Sequence, residues 1–271
     1  IPLVKGKVEV DKLLAMGGLS SEHLDGIKVK EPVFNLDAVW ISKDLKEDAL
    51  MKGFTVVDAP TIISTHISEI IRKYAEDIIT RQDVVDIVER LKKDFPIVVE
   101  EAMKVASYGS LLKVCKDLLH EKIPIIDMLT IIEAIADIAE FTKAPEILLE
   151  HVRAKLFRLI TQKYKDTDGV LHIVTIKPEL EQQFIGKLQE HHGVSQLMIS
   201  IAEINNLVTK TKKLLDDIEA KGFSKITMVV DPVLRKRISE IYEKFGLQVS
   251  VLSHAELDSK ANFAIEGTLE F

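Results

Sequence analysis

Residues 53–83 read GFTVVDAPTIISTHISEIIRKYAEDIITRQD. The apolar run from Phe54 to Val57 predicts a short strand. Asp58 supplies a helix cap, and Pro60 falls in the first helical turn, where its missing N–H costs nothing. From Pro60 to Ile79, the residues Ile63, Ile67, Ile70, Ile71, Tyr74, Ala75 and Ile78 form one broad apolar arc, which predicts an amphipathic helix with that arc turned to the core. Ser64, Thr65, His66 and Glu69 bring a nucleophile, a base and an acid close together in the chain. At about 100° per residue, Thr65 points nearly opposite the arc, with Ile62 and Glu69 beside it, and His66 lies on a flank. Thr65 and His66 therefore diverge, and a hydrolytic dyad is not expected. Ile62 is then either a lone exposed apolar residue, which is common, or part of a second surface that receives a partner.

Outward from this stretch, EPVFNLDAVWI at 31–41 alternates, with Phe34, Leu36, Ala38 and Trp40 on one side and Val39 and Ile41 on the other, a strand pattern. Gly17–Gly26 reads as a loop or turn. Residues 81–163 change character, with four helical stripes: Val84, Ile87, Val88, Leu91 and Phe95; Leu111, Leu112, Cys115, Leu118 and Leu119; Met128, Ile131, Ile132, Ile135, Ile138 and Ala139; and Ile147, Leu148, Val152, Leu156 and Leu159 after Pro145. The turn KYKDTDG at 163–169 leads into a βα pattern, with strands at Leu171–Ile176, Lys225–Val230, Gln248–Leu252 and Phe263–Phe271, and helices at 178–190, 196–221 and 232–245. The expected fold is mixed α/β with several subdomains: a partial N-terminal α/β unit over 1–80, a small helical domain over 81–163, and a C-terminal α/β domain over 164–271.

The 271 residues carry a net charge of −7, with 46% hydrophobic and 29% charged side chains, the balance of an ordinary globular protein and not of a general nucleic-acid binder. The basic clusters Lys210–Lys213 and Arg235–Arg237 lie beside acidic residues in helical patterns and read as solvated faces, as do Glu100-Glu101 and Asp216-Asp217. The single cysteine, Cys115, excludes an internal disulfide and sits at core spacing, so it reads as a small buried hydrophobe. Ile123–Phe141 is apolar but holds Asp127, Glu133, Asp137 and Glu140, each costing about 2.5–3.5 kcal/mol at mid-bilayer. There is no Walker or dinucleotide loop and no HExxH, CxxC or GxSxG motif. Of the eight histidines, only His191 and His192 are adjacent, and neighbours on a helix rarely share a metal. No cofactor, metal or catalytic residue is expected. The run Ile1-Pro2-Leu3-Val4-Lys5 has no signal-peptide layout, and the chain reads as a fragment.

The blocks EPVFNLDAVWI (31–41), GFTVVDAPTIISTHISEIIRKYAEDIITRQD (53–83) and LLHEKIPIIDMLTIIEAIAD (118–137), followed by VLSHAEL (251–257), resemble the cytoplasmic domain of the FHIPEP family of type III export proteins, in its flagellar export-gate branch. The resemblance implies four subdomains, the second inserted in the first, below a membrane-spanning half not present in this sequence, at the cytoplasmic face of the bacterial inner membrane. It implies a non-enzymatic docking platform that assembles into a homo-oligomeric ring. The implied partners are export chaperones with their substrates, the export ATPase complex and its stalk, and other gate membrane proteins; the gate itself uses the proton motive force. Carried over by residue, the chaperone-binding groove implied comprises Glu31, Phe34 and Thr65, with Ile62 as part of its wall, Phe34 as apolar anchor and Glu31 at the rim. The segments before Asp11 and after Gly18 are shorter than is usual in the family. The homologous gate of a virulence injectisome is the alternative system.

Overall fold

Period-two alternation builds the first sheet. Its strands are β1 (Leu13–Met16), β2 (Ile27–Lys30), β3 (Asp37–Ile41) and β4 (Thr55–Asp58), all antiparallel neighbours in the order β2-β3-β1-β4. The computed structural model that contains it describes residues 8–18, 23–31, 35–191, 194–223 and 225–270. Two compact units divide the chain between Ile79 and Thr80.

In the first unit the sheet sorts its side chains cleanly. Leu14, Ala38 and Trp40 point to one face, where they pack with Ala59 and Ile62. Ala15 and Ile41 point to the other, where they meet Leu24 and Ala49. Ala49 lies on α1 (Lys46–Met51), while Ala59 and Ile62 lie on α2 (Ala59–Lys73), which is followed by the single turn α3 (Ala75–Ile78). The Asp58 carboxylate accepts the Thr61 N–H at 2.9 Å and caps α2 as its sequence predicts. The strand expected over 31–41 begins only at Asp37, because Asn35 adopts a left-handed φ of 56° that breaks an extended path. The helix expected to reach Ile79 stops at Tyr74, whose φ of −115° closes α2 before α3 starts.

The second unit opens with six helices: α4 (Arg81–Asp94), α5 (Pro96–Val105), α6 (Tyr108–His120), α7 (Met128–Ala139), α8 (Pro145–Lys155) and α9 (Phe157–Tyr164). Local signals set their starts. Thr80 and Asp83 form a reciprocal capping box, Ser107 and Asp127 cap α6 and α7, and prolines open α5 and α8. Their apolar stripes converge, with Val88, Leu111, Val114, Leu118, Ile131, Ile135, Leu149 and Val152 fully buried. Cys115 is among them, and burial pushes its thiol up to about 12, which makes it inert at neutral pH.

The rest of the unit is α/β: β5 (Val170–Ile176), α10 (Pro178–Ile185), β6 (Leu188–His191), β7 (Val194–Leu197), α11 (Ile201–Glu219), β8 (Ile226–Val230), α12 (Pro232–Lys244), β9 (Ser250–Ser253) and β10 (Asn262–Leu269). A parallel sheet runs β10-β5-β8-β9, its main face covered by Leu180, Phe184, Leu207, Leu215, Leu234 and Ile238 of the helices. Two expected helices are too long in sequence. Residues 188–191 and 194–197 form an antiparallel hairpin instead, with Leu188 opposite Leu197. His191 therefore ends a strand and not a helix, and His192 lies outside the described residues, as does Phe271. Among the described residues no helix is long and apolar enough to cross a membrane.

Candidate functional site

The four residues singled out for docking all belong to the first unit. Thr65 is exposed on α2, on the side with Thr61 and Arg72, where Arg72 pairs with Glu69 at 2.5 Å. Phe34 lies outside the described residues. Glu31, expected at an exposed rim, is only 4% exposed; its N–H donates to the Leu36 carbonyl at 2.8 Å and its carbonyl accepts from Asn35 at 2.9 Å. Those two bonds, with the left-handed Asn35 and the Lys30–Asp37 ion pair at 2.7 Å across β2 and β3, hold Glu31 close to Asn35 and Leu36.

Ile62 corrects the helical-wheel reading. It does not face outward beside Thr65 but is 5% exposed, locked under the sheet against Leu14, Ala38 and Trp40. The arc expected to face the core is the one left open, with Ile63, Ile67 and Ile71 at 39, 40 and 52% exposure. The real inner face comprises Ala59, Ile62 and the half-buried His66 and Ile70. Thr65 remains outward because it flanks this inner face, and it stands about 160° from Ile67 on the helix. His66 turns inward, and its Nε2 is buried without a hydrogen-bond partner among the described residues. Thr65 and His66 share no hydrogen bond among the described residues, so no hydroxyl–imidazole dyad is assembled at this turn.

The largest polar assembly was not foreseen, and it lies in the second unit. Arg235, read as a solvated residue, is 1% exposed, as is Arg153. Arg235 Nε donates to both oxygens of Glu150 at 3.0 and 2.8 Å, and its two terminal nitrogens straddle Glu121 at 3.0 and 3.1 Å. Arg153 donates to Glu121 and through Nε, at 3.2 Å, to Glu256, a fully buried residue of the 3-10 turn His254–Glu256. Ser253 holds the same Glu256 carboxylate at 2.9 Å, and the Glu256 carbonyl accepts from Thr161 Oγ1 at 3.0 Å. Burial alone raises the Glu121 carboxyl, but the Arg153 and Arg235 guanidiniums outweigh it and hold Glu121 below the usual carboxylate range. The neighbouring Arg237 and Lys236 both pair with Glu146. This network ties α6, α8 and α12 to the VLSHAEL segment. The signal for it was present in sequence: Arg235 sits inside the apolar stripe Leu234, Ile238 and Tyr242, and Arg153 follows Leu149 by four. Lys212 and Lys213, by contrast, are exposed as expected.

Residues 1–262 match the model of the FHIPEP family. The flagellar biosynthesis protein FlhA of Helicobacter pylori is 42% identical over 271 residues, a match that spans 99% of this chain but only 37% of that protein. Among solved structures, the Chlamydia pneumoniae CdsV protein superposes with a TM-score of 0.83 at 19% identity, covering 98% of this chain and 77% of that one. CdsV is also solved in complex with the CdsO protein, with a TM-score of 0.75 at 20% identity over 86% of this chain and 68% of that one. The nonameric EscV cytosolic domain from the type III secretion system gives a TM-score of 0.73 at 18% identity, covering 99% and 80%. At these identities the structures share a fold with this chain.

Proposed function

The chain belongs to the FHIPEP family, and we propose that it is the cytoplasmic docking platform of a flagellar type III protein export gate. On this reading the outward side of α2 at Thr65, with residues 31–36, receives export chaperones carrying their substrates. The carrying observation is Thr65 itself: it stays exposed on a helix whose neighbouring residue Ile62 is fixed in the core, so a partner meets a rigid surface. Phe34 supplies the aromatic anchor, and the main chain of the buried Glu31 holds Asn35 and Leu36 close, in place of a carboxylate steering from the rim. Rigid presentation limits the ordering cost of binding. Ring assembly, as in the nonameric EscV domain, and contact with the export ATPase stalk and other gate proteins extend the same proposal. The flagellar system is favoured over an injectisome by the 42% identity to FlhA.

Calorimetric titration with late-export chaperones tests it. Phe34→Ala is expected to weaken binding by about 2 kcal/mol, the loss typical of an interface hot spot. Ile67→Ala, on the opposite side of α2 from Thr65, is expected to leave affinity unchanged. Unaltered affinity in a folded Phe34→Ala variant sinks the groove. Binding of injectisome chaperones in preference to flagellar ones moves the protein to the other system.

A further inference from the structure

His172, on β5, is held from two sides. Its Nδ1 lies 2.7 Å from Glu266 Oε1 of β10, and its Nε2 lies 3.0 Å from Asp166 Oδ2 in the turn that enters β5. Neither carboxylate is placed by chance. The other oxygen of Asp166 accepts the N–H groups of Asp168 and Val170 at 2.9 and 2.8 Å. Glu266 is the extra residue of a bulge, since Ile265 pairs with Ile173 and Gly267 with Val174. A Cβ at Gly267 would stand 2.8 Å from a methyl of Leu214, so glycine there leaves room for the Leu214 side chain of α11 beside the bulge. The imidazole packs on the Phe223 ring at 4.6 Å, and only 11% of its side chain is exposed. On the β8 side its register neighbour is the apolar Ile226, and the adjacent Lys225 is engaged by the carbonyls of Lys163 and Lys165. Among the described residues the charged groups on the ring are thus the two carboxylates.

We propose that His172 is a protonation-controlled clasp that fastens the turn entering β5 to the last strand, tight in mild acid and loosened above neutrality. A neutral imidazole has one N–H and can satisfy one carboxylate; its other nitrogen then presents a lone pair to the second. An imidazolium donates to both. The Glu266 hydrogen bond, against the opposing effect of burial and with help from Asp166, raises His172 above its ordinary value. The sign follows: a raised folded value stabilises fully below the unfolded value of 6.5, and that contribution disappears as pH rises through the folded one.

The test uses the whole chain. The imidazole resonance missing from His172→Gln identifies His172, and its titration midpoint in the native protein is expected above 6.5. Amide exchange in 262–269, corrected for its intrinsic pH dependence, is expected to lose more protection in the native chain than in His172→Gln as the pH is raised from 6 to 8.5. Glu266→Gln is expected to lower the midpoint. A native midpoint at or below 6.5, or an equal exchange response in native and His172→Gln chains, overturns the clasp. Should His172→Gln fail to fold, a midpoint that Glu266→Gln leaves in place overturns it as well.

Discussion

Arg235→Ala is expected to destabilise the second unit by about 3–5 kcal/mol, the cost of breaking a buried ion network from one side. The substitution leaves Glu121 and Glu256 paired with Arg153 and takes from Glu150 its guanidinium partner, so that among these five side chains an excess of one negative charge becomes two. Arg235→Lys is expected to recover only part of it, since a point ammonium cannot grip Glu150 and straddle Glu121 together. The double variant Arg235→Ala/Glu150→Ala is expected to be more stable than Arg235→Ala, which removes the stranded charge along with its partner. Chemical unfolding followed by circular dichroism measures all three. A loss below about 1 kcal/mol for Arg235→Ala, typical of exposed pairs, would mean that the network is solvated after all.

The same network sets an acid limit. Glu121 is held below its ordinary value in the folded chain, so its contribution is present above the unfolded value of 4.5 and is lost as pH falls through the folded one. His172 acts in the reverse sense, which places the firmest packing of the second unit in mild acid.

What could be read from sequence was what is decided locally. The Asp58 cap, the Pro145 start of α8 and the alternation of Ala38, Val39, Trp40 and Ile41 depend on residues within a turn or a strand, and each appears in the structure. The misses share a cause: another element supplies the deciding contact. Leu13–Met16 and Ile27–Lys30 are too short to show periodicity, and they become strands because β3 and β4 flank the first and β3 pairs with the second. Gln189 and Gln196 suit a helix as well as a strand until the hairpin pairs them. Arg235 looks solvated beside Glu240 because its true partners lie 85 and 114 residues earlier in the chain. The rotation of α2 is the instructive case for the candidate site. Two apolar arcs compete on that helix, one of Ile63, Ile67 and Ile71 and one of Ala59, Ile62 and Ile70. Only the position of Leu14 and Trp40 on the sheet selects the second.

That selection yields the sharpest contrast between neighbouring residues of one kind. Ile62→Ala is expected to cost about 2–4 kcal/mol, because it removes a buried side chain and leaves a cavity that the sheet cannot readily fill. Ile67→Ala, half-exposed one turn further on, is expected to stay within about 0.5 kcal/mol of the parent. The protein carries its own reporter for the comparison: the single tryptophan, Trp40, shares a cluster with Ile62 and is 4% exposed, so its emission follows unfolding of the first sheet. The pair also separates stability from recognition. If Ile62 supports Thr65 from beneath, Ile62→Ala lowers the unfolding midpoint, while chaperone affinity well below that midpoint changes far less than in Phe34→Ala. If instead Ile62 touches the chaperone, affinity drops in a chain whose tryptophan transition has not moved. Equal destabilisation by Ile62→Ala and Ile67→Ala would mean that α2 packs through the isoleucine arc, and the outward position of Thr65 would then have to be derived anew.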